Sequence, residues 1–519
     1  MTTGTLFLVL GDQLDLDAPA RAGLDPDLDA VWMAEVDEET THVWCHKLRI
    51  AGFLAAMRHH RDALEAAGWT VHYTELTEGA EDDEALTFSE RLALDVTRIK
   101  PRELRMLHPG DHRVRSALQS SANALGVPLT LLPDPHFDLD LDDFETWMQD
   151  RKVVVLEHFY RWMRKRHGIL VEDNKPVTGQ WNYDADNRGS FGRKGPGLVP
   201  DVEPFEADTV SREVIALVER RYASHPGSLA HFDLPVTRAD ALRALDDFIT
   251  HRLSRFGETQ DAMWEGASFL FHSRLSFPLN LHLLTPAECI ERAVEAYVEG
   301  RAPIPAVEGF VRQILGWREL VRGLYWHHMP DYAGLNALAC DPERDVPRFF
   351  WDGETDMACV RDAMRNVIEH GYAHHIQRLM VLGLFAQLAG VHPLRFHEWH
   401  MAMYIDAIDW VSLPNALGMS QYGDGGVLGT KPYCATGKYI QRMSNHCKGC
   451  RYDPAKATGD DACPFTTLYW DFLARHRETL SGNRRMTLQL KNVDRRKDLS
   501  AIRSQAATLL DAVANEAGI

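Results

Sequence analysis

TLFLVL, at residues 5–10, is a continuous apolar run near the start of the chain. A strand that is covered by helices on both of its faces has this pattern. Four further strand-like runs follow, with amphipathic segments between them, at residues 30–36, 69–76, 102–108 and 127–132. Because strands that alternate with helices form βαβ units, we predict a Rossmann-like α/β domain with a mainly parallel sheet over residues 1–135.

The rest of the chain divides into two parts. Residues 136–205 begin with an acidic segment, continue with a basic and aromatic one, and end in a stretch rich in turn residues, which is typical of an interdomain linker. Beyond residue 205, apolar residues recur at spacings of three and four almost without interruption. This periodicity predicts a large all-α domain over residues 206–519.

Composition excludes several classes of protein. The chain has 519 residues, of which 45% are hydrophobic and 25% charged, as in globular proteins rather than disordered or coiled-coil ones. We expect neither a membrane span nor a signal peptide, and hence a cytoplasmic location, because there is no apolar run near 20 residues and no basic segment before the first apolar run. The net charge is −19, but bases outnumber acids beyond residue 437, which is compatible with phosphate binding at one face.

The cysteines indicate a metal centre. CKGC, at residues 447–450, and Cys463 place three thiols within 17 residues of a loop rich in Gly, Pro and Asp. A fourth ligand must come from elsewhere in the chain, and Cys359 and Cys434 are the candidates. Four thiolates suit zinc and an iron–sulfur cluster equally, so the residues alone leave the metal open.

EHGYAHHIQRLMVLGLFAQLAG, at residues 369–390, is predicted to form one helix that carries two adjacent histidines, His374 and His375, and Arg378. His375 and Arg378 are three residues apart and therefore share a face of that helix. Since imidazole exchanges a proton near neutral pH, His375 is a candidate general acid in a cleft.

Two further places suit ligands. In HSRLSFPLN, at residues 272–280, Ser273 and Ser276 flank the start of a predicted helix, where hydroxyls and free N–H groups can bind a pyrophosphate. Ligands of open α/β sheets bind at the carboxyl ends of the strands, which here places a pocket near Gly11, Asp12 and residues 35–39. No G-x-G-x-x-G motif follows the first strand, so a dinucleotide site is not indicated there.

Together these segments resemble the iron–sulfur branch of the bacterial photolyases and cryptochromes, whose close members repair (6-4) photoproducts in DNA. The resemblance covers nearly the whole chain. The matching segments are LVLGDQL (8–14), WNYDADNR (181–188), TQDAM (259–263), VEGFVRQILGWRE (307–319), AHHIQRLM (373–380), LPNALGMSQYGDGGVLGTKPY (413–433), HCKGCRYDP (446–454) and ACPFTTLYWDFLARHR (462–477). The resemblance implies the photolyase/cryptochrome fold, with an α/β antenna domain, a long linker and a helical domain that holds FAD in a U shape.

The resemblance also implies three cofactors and the residues that bind them. The FAD contacts fall on Ser273, Leu275, Ser276, Trp317, Arg318, Arg378, Asp406 and Ser412. The ligands of a [4Fe-4S] cluster fall on Cys359, Cys447, Cys450 and Cys463, which excludes Cys434. The antenna chromophore of this branch, 6,7-dimethyl-8-ribityllumazine, would contact Gly11, Asp12, Glu35 and Glu39.

Roles around a DNA lesion follow from the same resemblance. His375 matches the histidine that faces the lesion and assists proton transfer, and His374 supports it. Positions that line the lesion space fall on Leu379, Met419 and Tyr433, and a contact to a divalent cation such as Mg²⁺ falls on Asp184. Trp351 and Trp399 match a chain that carries electrons to the flavin.

Two positions depart from the branch. His400 stands where close relatives often carry Tyr, and Ser412 stands where they carry a carboxylate or amide that faces flavin N5.

From the resemblance as a whole we predict a monomeric enzyme, a (6-4) photolyase that acts on UV-damaged DNA with His375 as proton donor. The alternative is a blue-light receptor of the cryptochrome type, and a non-enzymatic iron–sulfur protein that binds nucleic acid is less favoured.

Overall fold

A computed structural model of the chain describes residues 4–149, 151 and 153–515. The two ends of the predicted domain assignment, residues 1–3 and 516–519, lie outside the described residues, as do residues 150 and 152 of the predicted linker.

A five-stranded parallel sheet forms the first part of the structure. Its strands are β1 (Thr5–Leu8), β2 (Ala30–Ala34), β3 (Thr70–Thr74), β4 (Glu103–Leu107) and β5 (Leu129–Leu132). The spatial order is β3-β2-β1-β4-β5, and Leu6 of β1 is in register with Ala30 of β2 and Leu104 of β4. Every apolar run that the sequence indicated contains one of these strands.

Both faces of the sheet are covered, which explains why β1 is apolar throughout. Leu6 and Leu8 point into a small core that includes Phe88 and Leu118, residues of the helices Phe88–Ile99 and His112–Leu125. Phe7 points to the opposite face, into the main core that also contains residues of the helix Lys47–Ala66. Because successive side chains of a strand point to opposite faces, this strand contributes residues to two separate cores.

The remaining helices belong to the linker region and to a large helical part. In residues 136–205 they are Leu141–Met148 and Leu156–His167, next to a two-stranded hairpin of Val171–Glu172 and Lys175–Pro176. The helical part contains Thr209–Arg221, Arg238–His251, Leu253–Thr259, Ser276–Asn280, Pro286–Val298, Ile304–Val311, Arg312–Arg318, Glu319–His328, Phe349–Asp352, Ala358–His370, His375–Gln377, Arg378–Gly383, Leu384–Ala389, Pro393–Met403, Asp409–Leu413, Pro414–Ser420, Lys438–Met443, Pro464–Arg475, Arg477–Ser481, Thr487–Asp494 and Leu499–Ala514. The predicted fold class, an α/β part followed by an all-α part, is confirmed.

One predicted helix is wrong. Residues 369–390 do not form a single helix, because the helix Ala358–His370 ends before Gly371 and a new helix begins at His375. Gly371 has φ 56°, a conformation that favours glycine, and a Cβ there would lie 2.5 Å from Cγ2 of Ile405. The break places His374 at the N-terminal boundary of the second helix and His375 at its first position.

The helical part packs against the carboxyl edge of the sheet. The amide of Trp410 donates to the carbonyl of Gly110 at 3.0 Å, just beyond the end of β4. A Cβ at Gly110 would lie 2.4 Å from Oδ2 of Asp12 and 2.7 Å from Cγ2 of Ile408, so only glycine permits this approach. The strand ends and the helical part therefore enclose a common space around Asp12. Within the described residues, no helix has the length and apolar character needed to cross a membrane.

Candidate functional site

His375 is the exposed residue of an otherwise buried segment of the helical part, residues 371–377. The residue is accessible to solvent, yet loss of hydration lowers the pKa of its imidazole to about 4, and Arg378 and His272 lower it further. An accessible side chain that protein surrounds this closely indicates a recess in the helical part, which we call the hollow. At pH 7 the ring is therefore neutral, with one N–H to donate and one nitrogen to accept.

Arg378 and Asp406 form the strongest ion pair near this hollow. Nη1 and Nη2 of Arg378 each lie 3.0 Å from one oxygen of Asp406, and Nε donates to the carbonyl of Ala373 at 2.6 Å. The guanidinium also stacks 3.9 Å above the ring of Tyr404. A planar, bidentate pair of this kind is rigid and fixes both groups relative to His375.

Several buried polar atoms of the helical part have no hydrogen-bond partner among the described residues. They are Oγ of Ser412, the hydroxyl of Tyr404 and Nε2 of His400. Leaving a buried polar atom unpaired costs about 1–3 kcal/mol, so such atoms are normally satisfied by water or a ligand. The donor set fits a polar, heterocyclic cofactor that brings its own hydrogen-bonding groups.

The predicted pyrophosphate residues line a cleft. Ser273 and Ser276 border it together with Arg252 and Arg274, and the helix that follows is Ser276–Asn280, as predicted. Nδ2 of Asn280 donates to the carbonyl of Asp406 at 2.8 Å, which links this cleft to the Arg378–Asp406 pair. Hydroxyls beside guanidinium groups suit a phosphate.

Arg318 lies elsewhere. Its Nη1 donates to the carbonyl of His136 at 2.7 Å, and its guanidinium stacks 4.0 Å above the ring of Phe137. Arg318 is not among the described residues that line the serine cleft, and Trp317 beside it is half-buried.

The four thiols that the resemblance groups together come from three elements. Cys359 lies on the helix Ala358–His370, Cys447 and Cys450 lie in and after the turn His446–Lys448, and Cys463 immediately precedes the helix Pro464–Arg475. Burial and the three neighbouring thiols raise the pKa of Cys359 well above its usual range. A Cβ at Gly437 would lie 2.7 Å from Sγ of Cys463, so glycine leaves room there.

The spacing of these thiols is wide. Among the described residues, no three of them have sulfur atoms that all lie within 4.8 Å of one another. Cys434 is half-buried and is not among the thiols that raise the pKa of Cys359.

A buried histidine–carboxylate contact that the sequence did not indicate joins two elements of the thiol region. Nε2 of His446 lies 2.9 Å from Oδ2 of Asp362, and Oδ1 of Asp362 accepts from the amide of Gly266 at 3.0 Å. Asp362 lies three residues after Cys359 and His446 directly precedes Cys447. Their positions beside two of the predicted thiol ligands are the signal that could have identified the pair.

The predicted antenna residues surround the carboxyl ends of β1 and β2. Glu35 is already occupied, because its carboxylate accepts from Nε and Nη2 of Arg58, from the hydroxyl of Tyr73 and from the amide of Leu76 at 2.7–2.9 Å. Glu39 accepts from Nη2 of Arg113 at 2.7 Å. The Glu35 carboxylate therefore helps to hold the surrounding residues in place through these hydrogen bonds.

Asp12 is a carboxyl group of this pocket whose charge changes near neutral pH. Burial raises its pKa to about 7, with smaller contributions from the carboxylates of Asp134, Glu39 and Asp111. Gly11 packs against Phe53 and Met57, and a Cβ there would lie 3.0 Å from the sulfur of Met57.

We expect D12N to stabilise the cofactor-free protein at pH 8 but not at pH 4.5. Between pH 4 and 7 the folded state keeps a proton on Asp12 that the unfolded state has lost, so stability falls as the pH rises. A pKa raised by about three corresponds to about 4 kcal/mol in the free energy of unfolding, and screening by solvent reduces this to about 1–2 kcal/mol. Urea unfolding at the two pH values measures the effect, with D27N on the exposed surface as control. An equal change at both pH values would contradict the assignment.

The predicted lesion residues occupy the same part of the helical region. Leu379 and Met419 are buried in the π-helical segments Arg378–Gly383 and Pro414–Ser420, and Tyr433 is half-buried. Asp184 pairs with Arg188 and also acts on Asp261, whose pKa burial and the Asp184 charge raise to about 6. Asp261 was not predicted as a site residue, because 77 residues separate it from Asp184 and only the fold brings the two carboxylates together.

His374 stacks on a histidine that the sequence did not single out. The rings of His272 and His374 are 4.3 Å apart and nearly parallel, at 12°. Both ring nitrogens of His272 contact backbone carbonyls, of Phe269 at 3.1 Å and of Gln260 at 3.0 Å. His272 therefore holds the ring of His374, which in turn precedes His375.

The two predicted electron-transfer tryptophans differ in depth. Trp399 is buried and its Nε1 donates to the carbonyl of Phe350 at 2.9 Å, whereas Trp351 is half-buried. His400 is buried between the rings of Phe396 and Tyr404, at 4.7 and 4.8 Å.

Sequence comparison identifies similar proteins. Residues 7–234 match the model of a family described as "Deoxyribodipyrimidine photo-lyase-related protein". A protein named "(6-4) photolyase" from Agrobacterium fabrum is 44% identical over 511 residues, which cover 97% of this chain and 99% of that protein. The similarity therefore includes both the sheet and the helical part.

Comparison of structures agrees at the level of the fold. A bacterial class III photolyase from Agrobacterium tumefaciens superposes with a TM-score of 0.60 at 14% identity, covering 93% of this chain and 98% of that one. A cryptochrome from Synechocystis superposes with a TM-score of 0.52 at 14% identity, covering 85% and 88%.

Proposed function

This chain belongs to the bacterial photolyase and cryptochrome family, and from that membership we propose that it is a (6-4) photolyase, an enzyme that repairs (6-4) photoproducts in DNA with light. The observation that carries the proposal is the accessible His375 on the wall of an internal hollow, beside the Arg378–Asp406 pair. A damaged base pair is the least costly to unstack, so a hollow of this kind can receive it from the duplex.

The family brings a flavin-type cofactor, which we propose to be FAD. Its isoalloxazine would lie at the Arg378–Asp406 pair, beside which the hydroxyl of Tyr404 has no partner. Ser412, whose hydroxyl is also without a partner among the described residues, would be a further contact, and the pyrophosphate would lie at Ser273 and Ser276. When bound, FAD supplies light-driven electron transfer. The protein's contribution is to orient the two reactants and to exclude water.

His375 holds the proton that the repair needs. Burial and Arg378 keep its imidazole neutral while the hollow contains no negative charge. An electron that arrives on the lesion places negative charge beside the ring, which raises the pKa of the imidazole and makes the protonated form accessible. The imidazole takes up a proton from water, donates it to the lesion and so returns to its neutral form.

For the four-thiol group we propose a [4Fe-4S] cluster rather than zinc. Tetrahedral zinc with bonds of about 2.3 Å needs sulfur atoms about 3.8 Å apart. The thiols of Cys359, Cys447, Cys450 and Cys463 are close enough to raise the pKa of Cys359, but no three of these sulfur atoms all lie within 4.8 Å of one another. A cubane, which puts iron and sulfide between its ligands, suits this spacing.

Three finer proposals concern the antenna, a cation and the site of action. The space around Asp12 and Glu39 would take 6,7-dimethyl-8-ribityllumazine, whose ribityl hydroxyls can donate to these carboxylates. Asp184 and Asp261 would bind Mg²⁺, since oxygen ligands suit this ion. We further propose that the enzyme acts as a monomer in the cytoplasm.

The test is repair itself. Purified protein, reduced chemically and illuminated with blue light, should convert a (6-4) photoproduct in an oligonucleotide back to two thymines, as read by chromatography. Dark samples and undamaged oligonucleotide are the controls. An unchanged lesion together with a light-dependent change in protein shape would favour the cryptochrome-type receptor instead.

A further inference from the structure

Two histidines and an aspartate meet in the interior of the protein. Asp134 and His136 lie just beyond the end of β5, and His282 lies between the helices Ser276–Asn280 and Pro286–Val298. All three residues are buried. One ligand atom of each lies within 4.8 Å of the other two, and within the described part of the chain no other group of His, Cys, Asp or Glu residues does this. We call this group the His–Asp cluster.

The two imidazoles of the cluster face the same carboxylate. Nδ1 of His136 lies 4.0 Å from Oδ1 of Asp134, and Nε2 of His282 lies 3.7 Å from Oδ2 of Asp134. These distances are longer than hydrogen bonds. Around a tetrahedral zinc ion with bonds of about 2.1 Å, neighbouring ligand atoms are about 3.4 Å apart, so a small contraction brings the three ligands onto one ion.

The polar atoms of the cluster lack the partners that burial requires. Both ring nitrogens of His136 and Nδ1 of His282 have no hydrogen-bond partner among the described residues. Oδ1 of Asp134 accepts from the amide of His136 at 3.0 Å, but no lysine or arginine of the described residues lies within ion-pair distance of this carboxylate. Buried polar atoms are normally paired, and a buried carboxylate needs a cation. One metal ion would satisfy the carboxylate and both rings.

The two rings are free to reorient toward an ion. They are stacked, with centres 3.7 Å apart and an angle of 4° between their planes. Binding requires the rings to turn from parallel so that both lone pairs point at one ion, and no hydrogen bond to the ring of His136 opposes this rotation. Burial lowers the pKa of both imidazoles well below the usual range, so both rings are neutral, which is the form that binds a metal.

The backbone holds His282 in an uncommon conformation. Its φ is 62°, in the left-handed region that residues other than glycine seldom adopt. The amide of Leu14 donates to the carbonyl of Leu281 at 2.9 Å, so the segment after β1 fixes the loop that carries His282. Backbone strain of this kind is concentrated at functional sites.

A second carboxylate, that of Asp15, borders the cluster. Its Oδ2 lies 3.7 Å from Nδ1 of His136, and the same carboxylate pairs with Arg21. The side chain of Arg21 is 46% exposed. This side of the cluster is therefore close to solvent, which gives an ion a short path of entry, and Asp15 is available there as a fourth ligand.

The other arginines near the cluster have a carboxylate of their own. Arg318 donates to the carbonyl of His136 at 2.7 Å. Both Arg318 and Arg322 interact with the charge of Glu319, which is buried. The carboxylate of Asp134 therefore remains as the anionic group that faces the two imidazoles.

We propose that Asp134, His136 and His282 bind one zinc ion, which joins the end of the sheet and the start of the linker to the helical part. Two neutral imidazoles and a carboxylate are ligands that suit zinc. His136 and His282 are 146 residues apart in the sequence, so only the folded chain offers the site, and the ion stabilises the fold by mass action. The inference does not rest on the proposed function, because neither flavin nor DNA takes part.

The test measures zinc in full-length, tag-free protein that is dialysed against Zn²⁺ and then against metal-free buffer. D134N and H136Q each remove one ligand, and D134N keeps the oxygen that accepts from the amide of His136. The control, H60Q, changes another buried histidine whose Nε2 has no partner among the described residues. Mass spectrometry gives zinc and iron per chain, and X-ray absorption at the zinc edge identifies the ligand atoms.

We expect one zinc per chain in the wild type and in H60Q, with nitrogen and oxygen ligands at about 2.0–2.2 Å and no sulfur at about 2.3 Å. D134N and H136Q should bind zinc more than about 100-fold more weakly, since even outer-shell changes weaken metal binding about 10–100-fold. Zinc should raise the midpoint of thermal unfolding of the wild type and H60Q but not of D134N and H136Q. A wild type without zinc, zinc bound through sulfur, or a folded D134N that binds zinc as tightly as the wild type would overturn the inference.

Discussion

H375A is expected to lose light-driven repair by a factor of about 10²–10⁴, the usual contribution of a positioned general acid. The imidazole is the group on the wall of the hollow that can move a proton, and alanine cannot replace it. The flavin contacts proposed for Arg378, Asp406 and Ser412 do not involve His375, so the variant should retain its cofactor. Repair is measured per flavin after chemical reduction, so that photoreduction does not enter the result.

A matched control is available in H251A, which removes an exposed histidine at the end of the helix Arg238–His251. It should repair as well as the wild type. An H375A protein that is folded, carries flavin and repairs at the wild-type rate would remove His375 from the chemistry. The proton would then have to come from water or from another group in the hollow.

The sheet could be predicted from the sequence because its signal is local. Each strand is an apolar run of the right length, and both faces of β1 are buried, so no polar residue interrupts the pattern. The break at Gly371 could not be predicted in the same way. The periodicity continues across it, and the reasons for the break are a positive φ and the close approach of Ile405, which is 34 residues away.

The residues of the candidate site also fall into those that a local pattern predicts and those that it does not. Residues within one motif, such as His375 and Arg378 or Ser273 and Ser276, could be proposed from spacing. Asp261 beside Asp184 and His272 beneath His374 depend on contacts between distant segments, which one sequence does not reveal. The hydrogen bonds from Arg58 and Tyr73 to the Glu35 carboxylate could not be predicted either, because the fold determines these partners.

The second large effect is expected for C463A, which should yield insoluble protein or protein without iron and flavin. In the proposed cluster, Cys463 would tie the start of the helix Pro464–Arg475 to Cys359 on the helix Ala358–His370 and to the turn that carries Cys447. Structural metal sites contribute about 10–16 kcal/mol, whereas the net stability of a domain is about 5–15 kcal/mol. Removing one of four ligands therefore removes an amount comparable to the whole stability.

C434A provides the control for this experiment, because Cys434 is a half-buried thiol that is not among those acting on the pKa of Cys359. It should lose only packing contacts, at about 1 kcal/mol, and should keep iron and flavin. Iron, zinc and sulfide are assayed in the wild type and both variants, with four irons per chain expected in the wild type. A soluble C463A protein with flavin but no iron would mean that the cluster does not support the fold, and zinc in place of iron in the wild type would mean that the thiols close further than their present spacing.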